Sequence, residues 1–456
     1  LDMRQKMRYF IMILGLMLSL GIFAQTTKWR DIYTVKKKDT VFGIANKYGL
    51  TLPELMDANP EMKKEGYMLQ KGATLFIPFE KTTAQKTATT QRTTVAKKAN
   101  TVNVGVMLPL HDIDGDGKRM VEYYRGILMA CEQLKQQGIS TDIHAWNVPI
   151  DADIRTTLVQ EGADACDLIF GPLYTKQVAP LADFCKNYGI KMVIPFSING
   201  DNVERIKEIF QVYQAPESLN DATIKAFLNR FKNVHPIFVD CNDTTSRKGN
   251  FTFGLRKELE KRKIAYNITN VNSSLDYFAK AFVPSKQNVV VLNTGRSPQL
   301  TQVLNKLDEF SAKYPGAVVS LFGYTEWLMY AKYNLDRFYK YDTYIPSTFY
   351  YNANSAKVID LERRYNTWFH QPMQVAMPRF AITGYDHAMF FIQGVNKYGK
   401  DFTGDKSQVN YQPVQTPLHF EKTKKGGYRN QVLQLIHYTF NLSLIHISEP
   451  TRLGMI

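Results

Sequence analysis

The sequence predicts an α/β protein. It has a small strand–helix–helix–strand module, a linker, and a large module of two doubly wound parallel-sheet lobes. Three observations carry this expectation. From residue 101 to about 440, short apolar strand runs alternate with helical runs, the pattern of βαβ units. The alternation breaks after Phe196 and restarts at Ile237, which divides the large module in two. Residues 81–98 (KTTAQKTATTQRTTVAKK) hold five basic residues with no acid and no aromatic. Such a stretch cannot bury enough apolar surface to order itself, so residues 80–100 are expected to be a basic tether.

The chain has 456 residues, of which 44% are hydrophobic, enough for about three compact units. Four cysteines exclude a disulfide-built scaffold. A net charge of +15 points to a polyanionic neighbour. At the front, Arg4, Lys6 and Arg8 precede an uncharged run from Tyr9 to Ala24. This is the layout of a secretory signal peptide over residues 1–25, with an uncleaved anchor as the alternative. Export would remove nucleic acid from the list of partners and place the chain in the periplasm or cell envelope. The last residues, 441–456, resemble translated adapter sequence and are expected to be non-native.

In the small module, Asp31 to Val35 alternates as a strand. Asp39-Thr40 can cap a helix carrying Val41, Ile44, Ala45 and Tyr48 on one face, with Gly49 as its stop. Thr51-Leu52-Pro53-Glu54 is a capping-box pattern for a second helix ended by Asn59-Pro60, and Thr74 to Ile77 is the second strand. These residues, with Lys71-Gly72 and Leu75-x-Ile77-Pro78, resemble a LysM domain over 31–79. Lys38 departs from that pattern, which has glycine before the Asp-Thr pair. The resemblance implies binding of peptidoglycan and other N-acetylglucosamine glycans in a groove between Asp39, Thr40, Val41 and Asn59, Pro60, Met62. Against it stands the reading that Asp39 and Asn59 only cap helix ends.

In the large module (101–440), buried-strand runs fall at Thr101–Leu110, Thr141–Trp146, Asp167–Gly171, Lys191–Phe196, Ile237–Asp240, Asn288–Leu292 and Ala317–Gly323. VNVGVMLPL, DLIFGPL, GIKMVIPFS and the Gly384-Tyr385-Asp386 stretch in FAITGYDHAMFFIQGVNKYG resemble the type I periplasmic binding proteins of the branched-chain amino-acid receptor kind. The resemblance implies three lobe crossings, placed near Gln211–Ala215, Ile345–Tyr350 and Gln412–Thr416. Ligands in such folds bind outside strand C-termini. The candidates are Leu110, Tyr174, Thr175, Ser197 and Asn199 on the first lobe and Asn242, Thr294, Gly295 and Tyr324 on the second. The competing reading is that these loops only cap helices. Aromatics crowd Phe322–Tyr351, as core and hinge packing or as a stacking surface.

Asp112, Asp114, Asp116 and Gly117 copy half a calcium loop, but Tyr123 stands where its closing glutamate belongs. No hydrolase, phosphate-loop or metal motif occurs. No enzymatic activity, cofactor or metal is therefore expected. The expected function is an exported, wall-associated binding protein that closes on a small ligand, amino acid or peptide-like, with a transporter as partner. The alternative is a peptidoglycan-tethered scaffold regulating a cell-wall synthase. Cys131, Cys166, Cys185 and Cys241 are expected to be buried thiols, with a Cys166–Cys185 bridge as the exception that export would permit.

Overall fold

The computed structural model describes residues 29–37, 39–63, 67–78, 101–196, 200–439 and 444–448. The expected signal segment, the 80–100 linker, Lys38, Ser197, Asn199 and the tail apart from 444–448 lie outside the described residues.

The small module runs β1 (Trp29–Thr34), α1 (Val41–Lys47), α2 (Leu52–Ala58) and β2 (Thr74–Pro78), with β1 and β2 paired antiparallel. Its helices start where the polar caps sit. Thr40 accepts from the Gly43 N–H, and Thr51 and Glu54 form a reciprocal capping box. Leu55, Ile77, Leu75, Ile44 and Tyr48 fill a core of their own.

The first lobe opens with β3 (Thr101–Leu108), α3 (Gly115–Gln136), β4 (Ser140–Asn147), α4 (Arg155–Leu158), β5 (Leu168–Phe170), α5 (Val178–Tyr188), β6 (Lys191–Ile194) and β7 (Ile209–Gln211). The chain crosses to the second lobe, which holds α6 (Pro216–Arg230), β8 (Val234–Asp240), α7 (Gly249–Lys261), β9 (Asn267–Asn270), α8 (Leu275–Ala279), β10 (Gln287–Leu292), α9 (Ser297–Lys313), β11 (Val319–Phe322), α10 (Ala331–Lys340) and β12 (Thr343–Ser347). It returns for α11 (Ala356–Phe369), α12 (Phe380–Tyr398), β13 (Phe420–Lys422) and β14 (Tyr428–Asn430). It ends in the second lobe with β15 (Gln434–Tyr438) and β16 (Leu444–Ser448).

Each lobe has a seven-stranded sheet, ordered β13-β14-β7-β6-β5-β3-β4 and β16-β15-β12-β11-β10-β8-β9. The inner ladders are parallel, and antiparallel strands occur only at the β13 and β15–β16 edges. Val104, Val106 and Val289 to Val291 are fully buried, as strands covered on both faces must be.

The three crossings are residues 212–215, 348–355 and 431–433. The first two match the expected hinges, but the third corrects one. Residues 412–416 do not cross between lobes. They form a strap over α12, and the chain then makes the β13–β14 hairpin on the first-lobe sheet before crossing. Three-residue strands leave too short an apolar run to be read in advance. The strap is pinned by Asp386, fully buried on α12, whose carboxylate accepts from the N–H groups of Val414 (2.8 Å), Gln415 (2.8 Å) and Thr416 (2.6 Å) and from the Tyr411 hydroxyl.

Gly384 and Gly126 let α12 and α3 touch backbone to backbone. A Cβ on Gly384 would lie 2.0 Å from the Tyr123 carbonyl oxygen, and one on Gly126 1.8 Å from that of Ala381. Overpacking typically costs ~1–3 kcal/mol, the upper end where rigid backbone must give way. Gly384→Ala is therefore expected to lower the urea unfolding free energy of the full chain by about 3 kcal/mol, whereas Gly316→Ala, where a Cβ meets nothing within 4 Å and the backbone is not left-handed, should cost far less.

Candidate functional site

The small module's candidate groove residues divide by exposure. Thr40 and Pro60 are exposed, Asp39 and Val41 half-buried, and Asn59 and Met62 buried. Asn59 is a cross-link: its amide donates to the carbonyls of Leu55 (2.8 Å) and Phe76 (2.7 Å), and its oxygen accepts from the Phe76 N–H (2.7 Å). It fastens the end of α2 to β2. Asp39 accepts from the Tyr33 hydroxyl (2.7 Å) and the Lys36 N–H (2.7 Å). Burial works against its charge, but these donors and Lys47 hold its carboxyl below the usual range. Burial and then Asp39 raise the Tyr33 hydroxyl to about 12.

Two exposed apolar side chains of the small module lie outside the expected groove set. Phe42 is 67% exposed and Met68 79%. Phe42 follows Thr40-Val41 directly and lies off the Val41, Ile44, Ala45, Tyr48 stripe. That off-stripe position was the available signal for a large apolar ring on the outer face.

In the large module, Leu110, Tyr174 and Thr175 follow β3 and β5, and Asn242, Thr294 and Gly295 follow β8 and β10, the strand pairs at the two topological switch points, where open α/β sheets present ligand crevices; Tyr324 follows β11. Their polar groups are largely engaged within their own lobes. The Tyr174 hydroxyl donates to Asp116 (3.3 Å), and the Leu110 N–H donates to Asn147 (2.8 Å). Thr175 opens a 3-10 turn. Thr294 donates to Asp243 (2.7 Å), which also holds Thr245 and Arg296; the Thr245 and Thr294 hydroxyls bring the Asp243 carboxyl down to about 2. Asn242 adopts φ 53° and exchanges amide bonds with Asn270 (3.0 and 2.9 Å). Tyr324 is buried, donating to the Leu292 carbonyl. Lys248 lies 4.7 Å over its ring and pairs with Glu326 at 2.6 Å, beside Gly295. Asp114 caps α3 through the Gly117 N–H (2.7 Å), so the acidic stretch is a helix start. Trp327, Tyr341 and Tyr344 of the aromatic-rich segment are core, while Tyr333 is exposed. All four cysteines are free and buried.

Behind the first-lobe loops, Phe196 packs on Tyr123 (5.3 Å) and Phe380 (5.7 Å). The Tyr123 hydroxyl lies 2.9 Å from His387 Nδ1. Burial drives the His387 imidazole down to about 3, and it raises Asp386 to about 6 against four hydrogen bonds.

The two modules meet at a buried ion pair. Arg125 of α3 donates from Nε to Asp31 of β1 (2.8 Å), from a terminal nitrogen to the Ile32 carbonyl (3.2 Å), and to the Tyr365 hydroxyl of α11 (3.2 Å). Asp31 is fully buried and Arg125 7% exposed. Burial opposes the guanidinium charge, but Asp31 and Tyr365 more than offset it and raise its pKa. Tyr48 donates to the second Asp31 oxygen (2.9 Å) and sets its ring edge-on to His370 at the end of α11 (5.7 Å). Ile32 joins the first-lobe core. Nothing in the residue pattern signals this contact, because Asp31 reads as a polar residue in a half-exposed strand.

The LysM domain family matches residues 33–78, so that stretch is a LysM domain. No curated protein sequence matches the chain. Among solved structures, a protein described as a branched-chain amino acid ABC transporter from Rhodospirillum rubrum aligns at 14% identity and TM-score 0.52, covering 76% of this chain and 100% of that one. A branched-chain amino acid ABC transporter periplasmic ligand-binding protein from Burkholderia xenovorans aligns at 14% identity and TM-score 0.45, over 76% and 95%. Full-length LpoA from Haemophilus influenzae aligns at 13% identity and TM-score 0.45, over 77% and 59%. With the first of these, the large module has the type I periplasmic binding protein fold.

The buried pair of titratable groups on α12 yields a pH prediction. His387 titrates lower folded than unfolded (6.5 as the ordinary value). Its contribution is full above about pH 6.5 and is lost as pH falls toward 3. Asp386 is shifted upward, so its contribution has the opposite sign: present below about pH 4 and lost as pH rises through 6. The histidine shift is the larger. Together the two groups should lower the wild-type unfolding free energy slightly on acidification from about pH 6.5 to 4, and His387→Gln, which leaves the Asp386 shift acting alone, should reverse the sign of that slope.

Proposed function

We propose that this chain is an exported, non-catalytic binding protein of the cell envelope. Its LysM domain holds N-acetylglucosamine-containing glycan of peptidoglycan, and its two-lobed module closes on a small amino-acid or peptide-like ligand. The observation that carries the first half is the LysM match over residues 33–78, together with an exposed aromatic, Phe42, beside the exposed Thr40 at the mouth of α1. A ring and short polar groups suit the apolar face and acetamido groups of a sugar. The excess positive charge adds attraction to a carboxylate-bearing wall. The second half is supported by the bilobal fold, three crossings on one side, and candidate loops at both switch points. Among the described residues, no helix is long and apolar enough to cross a membrane.

A second reading is favoured by one specific observation. Tyr174, Asn242, Thr294 and Lys248 are each engaged by a partner from their own lobe. A ligand carrying a carboxylate and an ammonium group would have to displace those partners. In that reading the lobes are a protein-docking scaffold that regulates cell-wall synthesis.

Two experiments test the two halves, and the second separates the readings. On purified peptidoglycan sacculi the full chain should be retained, and Phe42→Ala should weaken retention about tenfold, the effect of losing ~1.4 kcal/mol of ring contact; unchanged retention would remove Phe42 from the groove. In a thermal-shift screen against free amino acids and short peptides, a true ligand at 100 times its Kd should stabilise the chain by ~2.7 kcal/mol. No shift with any of them would favour the scaffold.

A further inference from the structure

We infer that Arg125, a residue of the large module, is a positioning residue for the glycan groove of the LysM domain. The inference rests on the glycan-binding reading above and adds that groove order is set from outside the domain. The path is continuous. Arg125 holds Asp31 at 2.8 Å, and Asp31 holds the Tyr48 hydroxyl at 2.9 Å. The Tyr48 ring packs edge-on against Tyr33 at 5.8 Å. The Tyr33 hydroxyl holds Asp39 at 2.7 Å, and Asp39 receives the Lys36 N–H at 2.7 Å. Lys47 lies over both rings, 4.7 Å from Tyr33 and 5.5 Å from Tyr48. Asp39 is the residue before the α1 cap, so this chain of contacts ends on the loop that forms one wall of the groove.

Burial explains why Arg125 matters at a distance. Asp31 is fully buried, and a buried carboxylate needs a partner. Arg125 is its ion-pair partner at 2.8 Å. Without it, Asp31 must draw its compensation from Tyr48 or re-expose itself to water. Either change moves Tyr48, and the Tyr33–Asp39 contact is packed on Tyr48. On the lobe side Arg125 is fixed by the Tyr365 hydroxyl, and its guanidinium lies 5.1 Å over Phe369. Tyr365 also donates to Glu122 at 2.8 Å, one α3 turn before Arg125. Both Tyr365 and Phe369 belong to α11, the helix that follows the 348–355 crossing directly. A change in that crossing therefore has a physical route to the groove, and by linkage glycan has the same route back.

The test uses the full chain and soluble penta-N-acetylglucosamine as the probe, with calorimetric affinity and amide hydrogen exchange over residues 31–48 as separate readouts. Arg125→Gln is expected to weaken the probe about tenfold and to speed exchange at Lys36–Gly43. Arg125→Lys, which keeps the charge but loses the fork, should recover part of the affinity. Arg230→Gln, which removes a second-lobe arginine bonded to Tyr344, should leave both readouts unchanged. If Arg125→Gln does not fold, Tyr365→Phe carries the same test with a two- to fourfold loss. Full affinity and unchanged exchange in a folded Arg125 variant would overturn the inference, as would an equal loss in Arg230→Gln. If the wild type does not bind the probe, the glycan reading fails, and exchange at Lys36–Gly43 alone decides whether Arg125 orders that loop.

Discussion

One buried ion pair determines how this molecule is assembled. Two modules whose cores meet only through Ile32 and Phe76, joined by a 22-residue connection, have little apolar contact to hold a fixed relation. Asp31 and Arg125 supply one, since neither charge can be left alone away from water. Breaking such a pair by removing one partner costs ~3–5 kcal/mol, even though its net contribution relative to an apolar contact is small. The pair thus selects one docked arrangement more than it adds stability. Its surroundings support that reading: the Ile32 carbonyl, the Tyr365 hydroxyl and the Tyr48 hydroxyl each take one of the remaining bonds.

A second constraint lies on α12, where Gly384 and Asp386 act on opposite faces. The glycine admits the backbone of α3, and the carboxylate holds the 412–416 strap through three N–H groups. The Gly384-Tyr385-Asp386 stretch singled out in the sequence is thus a packing and anchoring device. It aligns α3, which bears Arg125, with the first-lobe loops.

Much of the architecture was legible in the residues, for physical reasons. Strands buried on both faces leave continuous runs such as VNVGVML and NVVVL. Helix starts announce themselves through Thr40, Thr51 and Asp114. What could not be read was tertiary. The third crossing was misplaced because β13 and β14 are three residues each. Asn59 reads equally as a cap or a sugar contact, and only the position of Phe76 shows where its amide is used. Phe42 breaks an amphipathic stripe by one residue, a weak signal. Asp31 and Arg125 are ordinary polar residues until two elements 94 positions apart are brought together.

The most direct measurement of the docked arrangement is a distance distribution between spin labels in the full chain, at exposed Thr51 of the LysM domain and exposed Gln136 of α3. The account predicts one narrow distance that broadens when Arg125 is replaced by glutamine. A broad distribution in the wild-type chain, unaltered by that substitution, would contradict it.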